Sequence, residues 1–287
     1  NKFKISLGGN IGTPILDIKS SKMNYIIIEA SSFQLSHSKF ISPTYAFFLN
    51  FTNDHIDWHG NMKNYLNSKL KIFNLQTKKN FAIINKKLKN IFVRNKFESR
   101  LIVPSYKNYH KIKFRIKNNY LTSKINNENM CFIYAFAKLL KINDQSFINS
   151  LKSFKGLPHR FEIFLKRKDV TFINDSKATS FEATQFALSS LENIYWIVGG
   201  LPKKYDQFKV SKYKKNIYKC YLIGNNINFF KNQINKKLDF SITKNLKKTI
   251  IKILNDTKSQ KNLSKFILLS PAAASFDQFN NFEERGE

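Results

Sequence analysis

Four short segments place side chains that do chemistry next to apolar runs. Glu29 follows the run Met23–Ile28 and precedes Ala30, Ser31 and Ser32. A carboxylate at the end of a buried strand suits Mg²⁺ beside a nucleotide; the plain alternative is a cap on the next helix. The segment TNDHIDWH, residues 52–59, gathers two acids and two histidines. It reads either as a metal site or as a polar loop with capping acids, with His59 as a surface residue. NDSKAT puts Asp175 and Lys177 two residues apart after another apolar run, so both point the same way if the strand continues. The carboxylate there suits a base or a ribose ligand, and the ammonium suits an anion; a surface ion pair is the alternative. GGLPKK, residues 199–204, and SPAAAS, residues 270–275, are turns of small residues that let an anion approach the backbone. No G-x-x-x-x-G-K-[ST] phosphate loop occurs in the chain.

The apolar runs that would carry these groups are Met23–Ile28, Thr44–Leu49, Phe81–Ile84, Val170–Ile173, Ile194–Val198, Lys219–Ile223 and Lys265–Leu269. Each ends in polar or small residues, the pattern of buried parallel strands with function at their carboxyl ends. Helical spacing lies between them at Tyr65–Leu75, Asn129–Leu140, Glu182–Leu191 and Leu246–Leu254. Residues 85–127 are rich in Lys and Asn, and the alternation in KIKFRI predicts a small β element with loops. The pattern restarts at GLPHRFE, which sets a domain boundary near residues 153–158. Strand–helix alternation on both sides predicts an α/β protein.

At 287 residues, about two domains are expected. Two cysteines are too few for a disulfide framework, and the reduced setting points to the cytoplasm. No apolar run is long enough to span a membrane. The net charge is +30, but only six of the 49 basic residues are Arg, and they are scattered among 34 Asn. Readers of nucleic acid favour Arg for bidentate contacts, so compositional bias explains the charge better than a nucleic-acid partner does.

Taken in order, GNIGTP, EASSFQL, NDHIDWH, SKLKIF, GLPHRFE, NDSKAT, the Gly199–Gly200 pair and SPAAASFDQFNNFEERG resemble the Mur ligase family. The wording is nearest to the member that attaches D-glutamate. The family has a UDP-binding, a central ATPase and a C-terminal Rossmann-like domain. The resemblance implies an α/β chain in which residues 1–155 are the remainder of a central P-loop-type ATPase domain. Residues 156–287 would be a Rossmann-like doubly wound ligase domain. The resemblance begins just after the family's P-loop and stops short of its last helix, so a piece of a longer chain is expected.

The implied reaction is ATP-dependent ligation of D-glutamate to UDP-N-acetylmuramoyl-L-alanine in peptidoglycan synthesis, through an acyl phosphate. Implied cofactors are ATP and Mg²⁺, and the implied state is a cytoplasmic monomer. By resemblance, Glu29, His55 and Lys69 hold Mg²⁺, Lys69 as a carbamate; carbamylation needs a neutral amine and so a lowered pKa. Lys69, His55 and Lys177 would be the catalytic set. Asn126, Arg160 and Asp175 would bind ATP. Asn10 and Ser31 would meet the UDP-sugar, and Thr179, Lys203, Ser275 and Phe282 the amino acid. Family members usually have His before the asparagine where this chain has Ile125, and Leu201–Pro202 leaves Lys204 as a substitute for Lys203. A sister ligase for another amino acid, and a basic binding protein or inactive remnant, are the competing readings.

Overall fold

Every apolar run named above forms a strand, and the strands fall into three sheets. The structure is a computed structural model that describes residues 4–19, 24–52, 54–118, 120–123, 126–203, 206–234, 237–258 and 263–287. Met23, Ile125 and Lys204 lie outside the described residues. The chain divides into two units, Asn1–Phe154 and Lys155–Glu287.

In the first unit, β1 (Lys4–Gly9) and β2 (Asn24–Glu29) pair in parallel and bring Gly9 opposite Glu29. Helix α1 (Ser32–His37) opens on a capping box between Ser31 and Gln34. The second sheet is parallel, in the order β3 (Tyr45–Phe48), β4 (Phe81–Ile84), β5 (Arg100–Ile102). Between β3 and β4 run α2 (Ile56–His59) and α3 (Met62–Leu70), and between β4 and β5 runs α4 (Lys89–Arg94). Ala46, Phe48, Phe73, Ala82, Ile84 and Phe92 form one buried cluster across this sheet. A second cluster joins Tyr109, Ile112, Met130, Tyr134 and Phe147 from α5 (Tyr106–Lys113), α6 (Asn127–Leu139) and α7 (Asp144–Leu151).

The β reading of residues 85–127 is corrected here. Among the described residues of this stretch the one strand is Arg100–Ile102, and KIKFRI begins in the last turn of α5 and runs past its end at Lys113. Tyr109 and Ile112 are buried three apart within the helix, a helical spacing that outweighs the short alternation. Ser105 starts that helix by accepting the N–H of Asn108.

The second unit is one six-stranded sheet in the order β10-β9-β8-β11-β7-β6. Its strands are β6 (Glu162–Arg167), β7 (Val170–Asn174), β8 (Ile194–Gly199), β9 (Ile217–Ile223), β10 (Phe240–Lys244) and β11 (Lys265–Leu269). Neighbours pair in parallel except β6, which runs antiparallel to β7 at the edge. Alternate residues of β8 serve opposite faces. Ile194, Trp196 and Val198 pack with α8 (Phe181–Ser190) and α9 (Ile227–Ile234), and Tyr195 and Ile197 pack with α10 (Leu246–Thr257). This is the doubly wound arrangement. The chain skips a place between β7 and β8 and returns to fill it with β11. The strand order therefore reverses there, and ligands of such sheets bind beyond the carboxyl ends at that point. Gly199 and Gly200 are required at the end of β8: both have φ near +140°, and a Cβ would strike the carbonyls of Ile223 and Ala274. The last element is α11 (Phe282–Gly286). No helix among the described residues is long and apolar enough to cross a membrane.

Candidate active site

In the first unit, pairing of β1 with β2 delivers Asn10 to Glu29. The Asn10 Nδ2 donates to Glu29 Oε1 at 3.0 Å, and its backbone N–H donates to the Glu29 carbonyl at 2.7 Å. Glu29 is not the cap of α1, since Ser31 fills that place and its hydroxyl accepts the Gln34 N–H at 3.2 Å. His55 precedes α2 with φ of 54°, a left-handed conformation that costs energy for a residue with a Cβ. Its Nε2 lies 3.6 Å from Asp54 Oδ2, and its ring meets the Phe33 ring edge-on at 4.9 Å. Lys69 is half-buried on the last turn of α3, with Nζ 5.1 Å from the Tyr65 ring centroid and 5.7 Å from that of Phe48. Burial lowers its pKa, partly offset by Asp54. The same burial raises the Tyr65 phenol to about 12.

His59 is corrected from a surface position to a buried one, only 6% exposed. Its Nε2 lies 3.0 Å from Ser32 Oγ and its Nδ1 3.4 Å from Ser68 Oγ, beside Lys69. Burial first, then His55 and Lys69, lowers its pKa. Asn126 precedes α6 and is buried, and its Nδ2 donates to the Tyr120 carbonyl at 2.8 Å. The amide thus holds its own loop.

In the second unit, β7 ends at Asn174, so Asp175 and Lys177 sit on a turn rather than on a continued strand. Asp175 lies where the strand order reverses. Its Oδ2 accepts from Ser270 Oγ at 2.7 Å, and its Oδ1 accepts the Phe161 N–H at 3.0 Å. Burial raises its pKa to about 6, against the Ser270 and Phe161 hydrogen bonds and the charge of Arg160, which lower it. Arg160 is exposed, flanked by His159 and Phe161, both at positive φ. The Lys177 ammonium sits 3.6 Å from the centroid of the Phe282 ring. The Thr179 N–H donates to the Lys177 carbonyl at 2.9 Å. Lys203 is exposed on the turn after Gly200. Ser275 is buried, and its carbonyl accepts the N–H groups of Gln278 and Phe279 at 3.0 and 2.9 Å.

Sequence reasoning assigned no role to Arg285, which holds this half together. It is 2% exposed, with Nε 3.0 Å from Ser176 Oγ, Nη2 2.7 Å from the Ser176 carbonyl and Nη1 2.9 Å from the Ala273 carbonyl. Ser176 Oγ in turn donates to the Phe282 carbonyl at 2.8 Å, and Asn174 Nδ2 donates to the Gly286 carbonyl at 2.9 Å and lies 2.9 Å from His159 Nδ1. Burial lowers the guanidinium pKa to about 10, so it stays charged. The signal available beforehand was a lone Arg inside FEERG, in a chain whose cations are nearly all Lys.

Among the described residues, no three His, Cys, Asp or Glu side chains cluster as a metal cage. Glu29 and His55 offer one carboxylate and one imidazole, and Lys69 would add an oxygen donor only as a carbamate; a donor set this small is compatible with Mg²⁺, which keeps several waters and takes much of its charge compensation from phosphates.

One unit doubly wound with an acid at its switch point, and one unit built on short parallel sheets, define a protein of the α/β class. Residues 9–148 match the family model described as the Mur ligase middle domain. The chain belongs to the Mur ligase family. A relative from Rickettsia bellii, named UDP-N-acetylmuramoylalanine--D-glutamate ligase, is 35% identical over 310 residues, which cover 100% of this chain and 69% of that protein. Among solved structures, MurF from Acinetobacter baumannii aligns with a TM-score of 0.64 at 11% identity, covering 93% of this chain and 73% of that one. MurF ligase from Thermotoga maritima in complex with ADP aligns at 0.61 and 13% identity, covering 94% and 77%. At such identities these structures speak to the fold.

Proposed function

We propose that this chain joins D-glutamate to the alanyl carboxylate of UDP-N-acetylmuramoyl-L-alanine at the expense of ATP, a cytoplasmic step of peptidoglycan synthesis. The observation that carries the reading is the likeness to the Rickettsia bellii ligase over 100% of the chain, so both sets of candidate residues share one set of relatives.

The alanyl carboxylate oxygen attacks the γ-phosphorus of ATP, and the bond to the ADP oxygen breaks. The amine of D-glutamate then attacks the acyl carbon, phosphate leaves with the electron pair, and the amine loses a proton. Anions must meet at each stage, so fixed cations and oriented donors are what the protein supplies. Asp175, ionised above about 6, would accept the ribose hydroxyls of ATP, with Arg160 beside it. Lys177 would hold a glutamate carboxylate and be kept in place by its seat on Phe282, while Lys203 and Ser275 would meet the other carboxylate. Asn10 and Ser31 would face the UDP-sugar, and Asn126 would meet the adenine through groups its loop bond leaves over. Glu29, His55 and Lys69 would hold Mg²⁺, which neutralises phosphate charge when bound. The lowered Lys69 pKa favours the neutral amine that carbamylation by CO₂ requires, a bond from Nζ to carbon with release of one proton.

Phosphate release by the complete gene product is the test. ATP, Mg²⁺ and the UDP-sugar-alanine are supplied with D-glutamate, L-glutamate, L-lysine, L-alanine or meso-diaminopimelate in turn. Release that requires D-glutamate is expected. Release with another amino acid moves the chain to a sister ligase, and none with any of them retires the enzymatic reading.

A further inference from the structure

The imidazole of His59 is the one buried histidine among the described residues, and the reaction above gives it no task. Three elements meet at its ring. Ser32 is the first residue of α1, next to the Ser31 cap; His59 itself closes α2, whose first flank is His55; Ser68 precedes Lys69 on α3. Its backbone also belongs to the turn, since its N–H donates to the His55 carbonyl at 3.1 Å and its carbonyl accepts Asn64 Nδ2 at 3.0 Å. Phe33 stacks on the ring at 5.7 Å and Tyr65 meets it at 5.1 Å; the same two rings contact His55, and Tyr65 also lies under Lys69.

The hydrogen bonds fix which nitrogen carries the proton. Ser68 Oγ donates its one hydrogen to the Asn64 carbonyl at 2.9 Å. Towards His59 Nδ1 it can therefore only accept, so Nδ1 bears the hydrogen. A neutral ring then has a bare Nε2, which accepts the Ser32 hydroxyl at 3.0 Å. Either other arrangement forfeits a bond or places a cation in a buried site beside Lys69.

We propose that His59 is a positioning residue, held as the Nδ1–H tautomer between Ser32 and Ser68, which sets His55 and Lys69 in their places at once. The inference rests on the ligase reading only in its Mg²⁺ arm. Groups hydrogen-bonded to a metal ligand typically matter by roughly 10- to 100-fold in affinity or activity, and the His59 ring, bonded to the neighbours of the ligands, is expected at the low end of that range.

The test uses the complete gene product. Long-range ¹H–¹⁵N spectra of the imidazoles are recorded, with His59→Asn assigning the signal. A protonated Nδ1 and a bare Nε2 are expected, and a ring protonated at Nε2 or at both nitrogens overturns the proposal. This reading needs no turnover, so it stands or falls apart from the ligase assignment. In the assay, Ser68→Ala and His59→Ala are expected to raise the Mg²⁺ requirement roughly 10-fold. The KM for D-glutamate should stay within about twofold, as expected when the lost interaction lies elsewhere. His59→Asn keeps an amide N–H where Nδ1–H stood and should recover part of the loss. A purely structural role would lower the folded fraction and leave the Mg²⁺ requirement of each folded molecule unchanged. Ser68→Ala, which removes one oxygen, keeps the experiment decisive if His59→Ala fails to fold.

Discussion

Asp175 is the residue whose chemistry the fold alters most. Its pKa rises to about 6 because burial costs the carboxylate more than Ser270, the Phe161 N–H and Arg160 return. The folded value thus lies above the unfolded one, so the protonated acid favours folding. That contribution is full below about pH 4, the unfolded value, and is lost as pH rises through about 6. Across the window it amounts to roughly 3 kcal/mol. Asp175→Asn should remove this part of the pH dependence, leaving a flatter urea-denaturation profile between pH 4 and 7. A variant profile as steep as that of the parent would assign the titration to another group. In the functional direction, a carboxylate poised near 6 is ionised at neutral pH and ready to accept hydroxyl donors. Asp175 and Lys177 could be singled out in the sequence because a carboxylate and an ammonium follow an apolar run, and Phe282 only through the family resemblance of its motif. His59 was not, because two hydroxyls 27 positions before and nine after it decide its burial.

At the scale of elements, α11 is too short to hold itself, having five residues. Arg285 docks it, with three hydrogen bonds that satisfy the Ser176 and Ala273 carbonyls and fix the Ser176 hydroxyl under Phe282. Gly286 is pinned as well, since a Cβ there would collide with the His159 ring. Arg285→Met fills similar volume but strands two buried carbonyls, which should cost roughly 3 kcal/mol. Thermal or urea denaturation measures that loss. An accompanying fall in affinity for D-glutamate is expected, because the seat of Lys177 on the Phe282 ring depends on the dock. An unchanged midpoint would show that the carbonyls find water instead. Seven of the parallel strands were readable as apolar runs, whereas β1, β5 and β10, with polar residues, glycines or only three positions, were not. The helix that ends within KIKFRI escaped because those six residues alternate by chance, and the helical spacing emerges only when Tyr109, upstream of them, is set beside Ile112.

For the whole molecule, the question is how evenly stability is spread over the two units. The second unit encloses its sheet on both faces, with Trp196, Tyr195, Val198, Tyr221 and Leu222 fully buried. In the first unit, Ile5, Leu7, Ile26 and Ile27 of β1 and β2 stand at 66, 51, 40 and 52% exposure among the described residues. A parallel pair with apolar residues this exposed is weak, since parallel sheets depend on cover. For this 287-residue chain taken alone, local opening is therefore expected to be easiest around β1 and β2 and hardest in the six-stranded sheet of the second unit. Trypsin suits the comparison because the 49 basic residues supply cleavage sites throughout, so the cutting pattern reports opening rather than the supply of sites. Where opening is fast relative to cleavage, the rate at each site tracks the local free energy. Brief digestion followed by mass spectrometry should release peptides from the first unit early and leave a core beginning near Lys155, the boundary between the units. That core, expressed alone, should unfold in one cooperative transition, as a domain with its own covered sheet does. Early cuts within β8, β9 or β11 would refute the ranking. A core that fails to fold alone would show that the six-stranded sheet draws its stability from the rest of the chain.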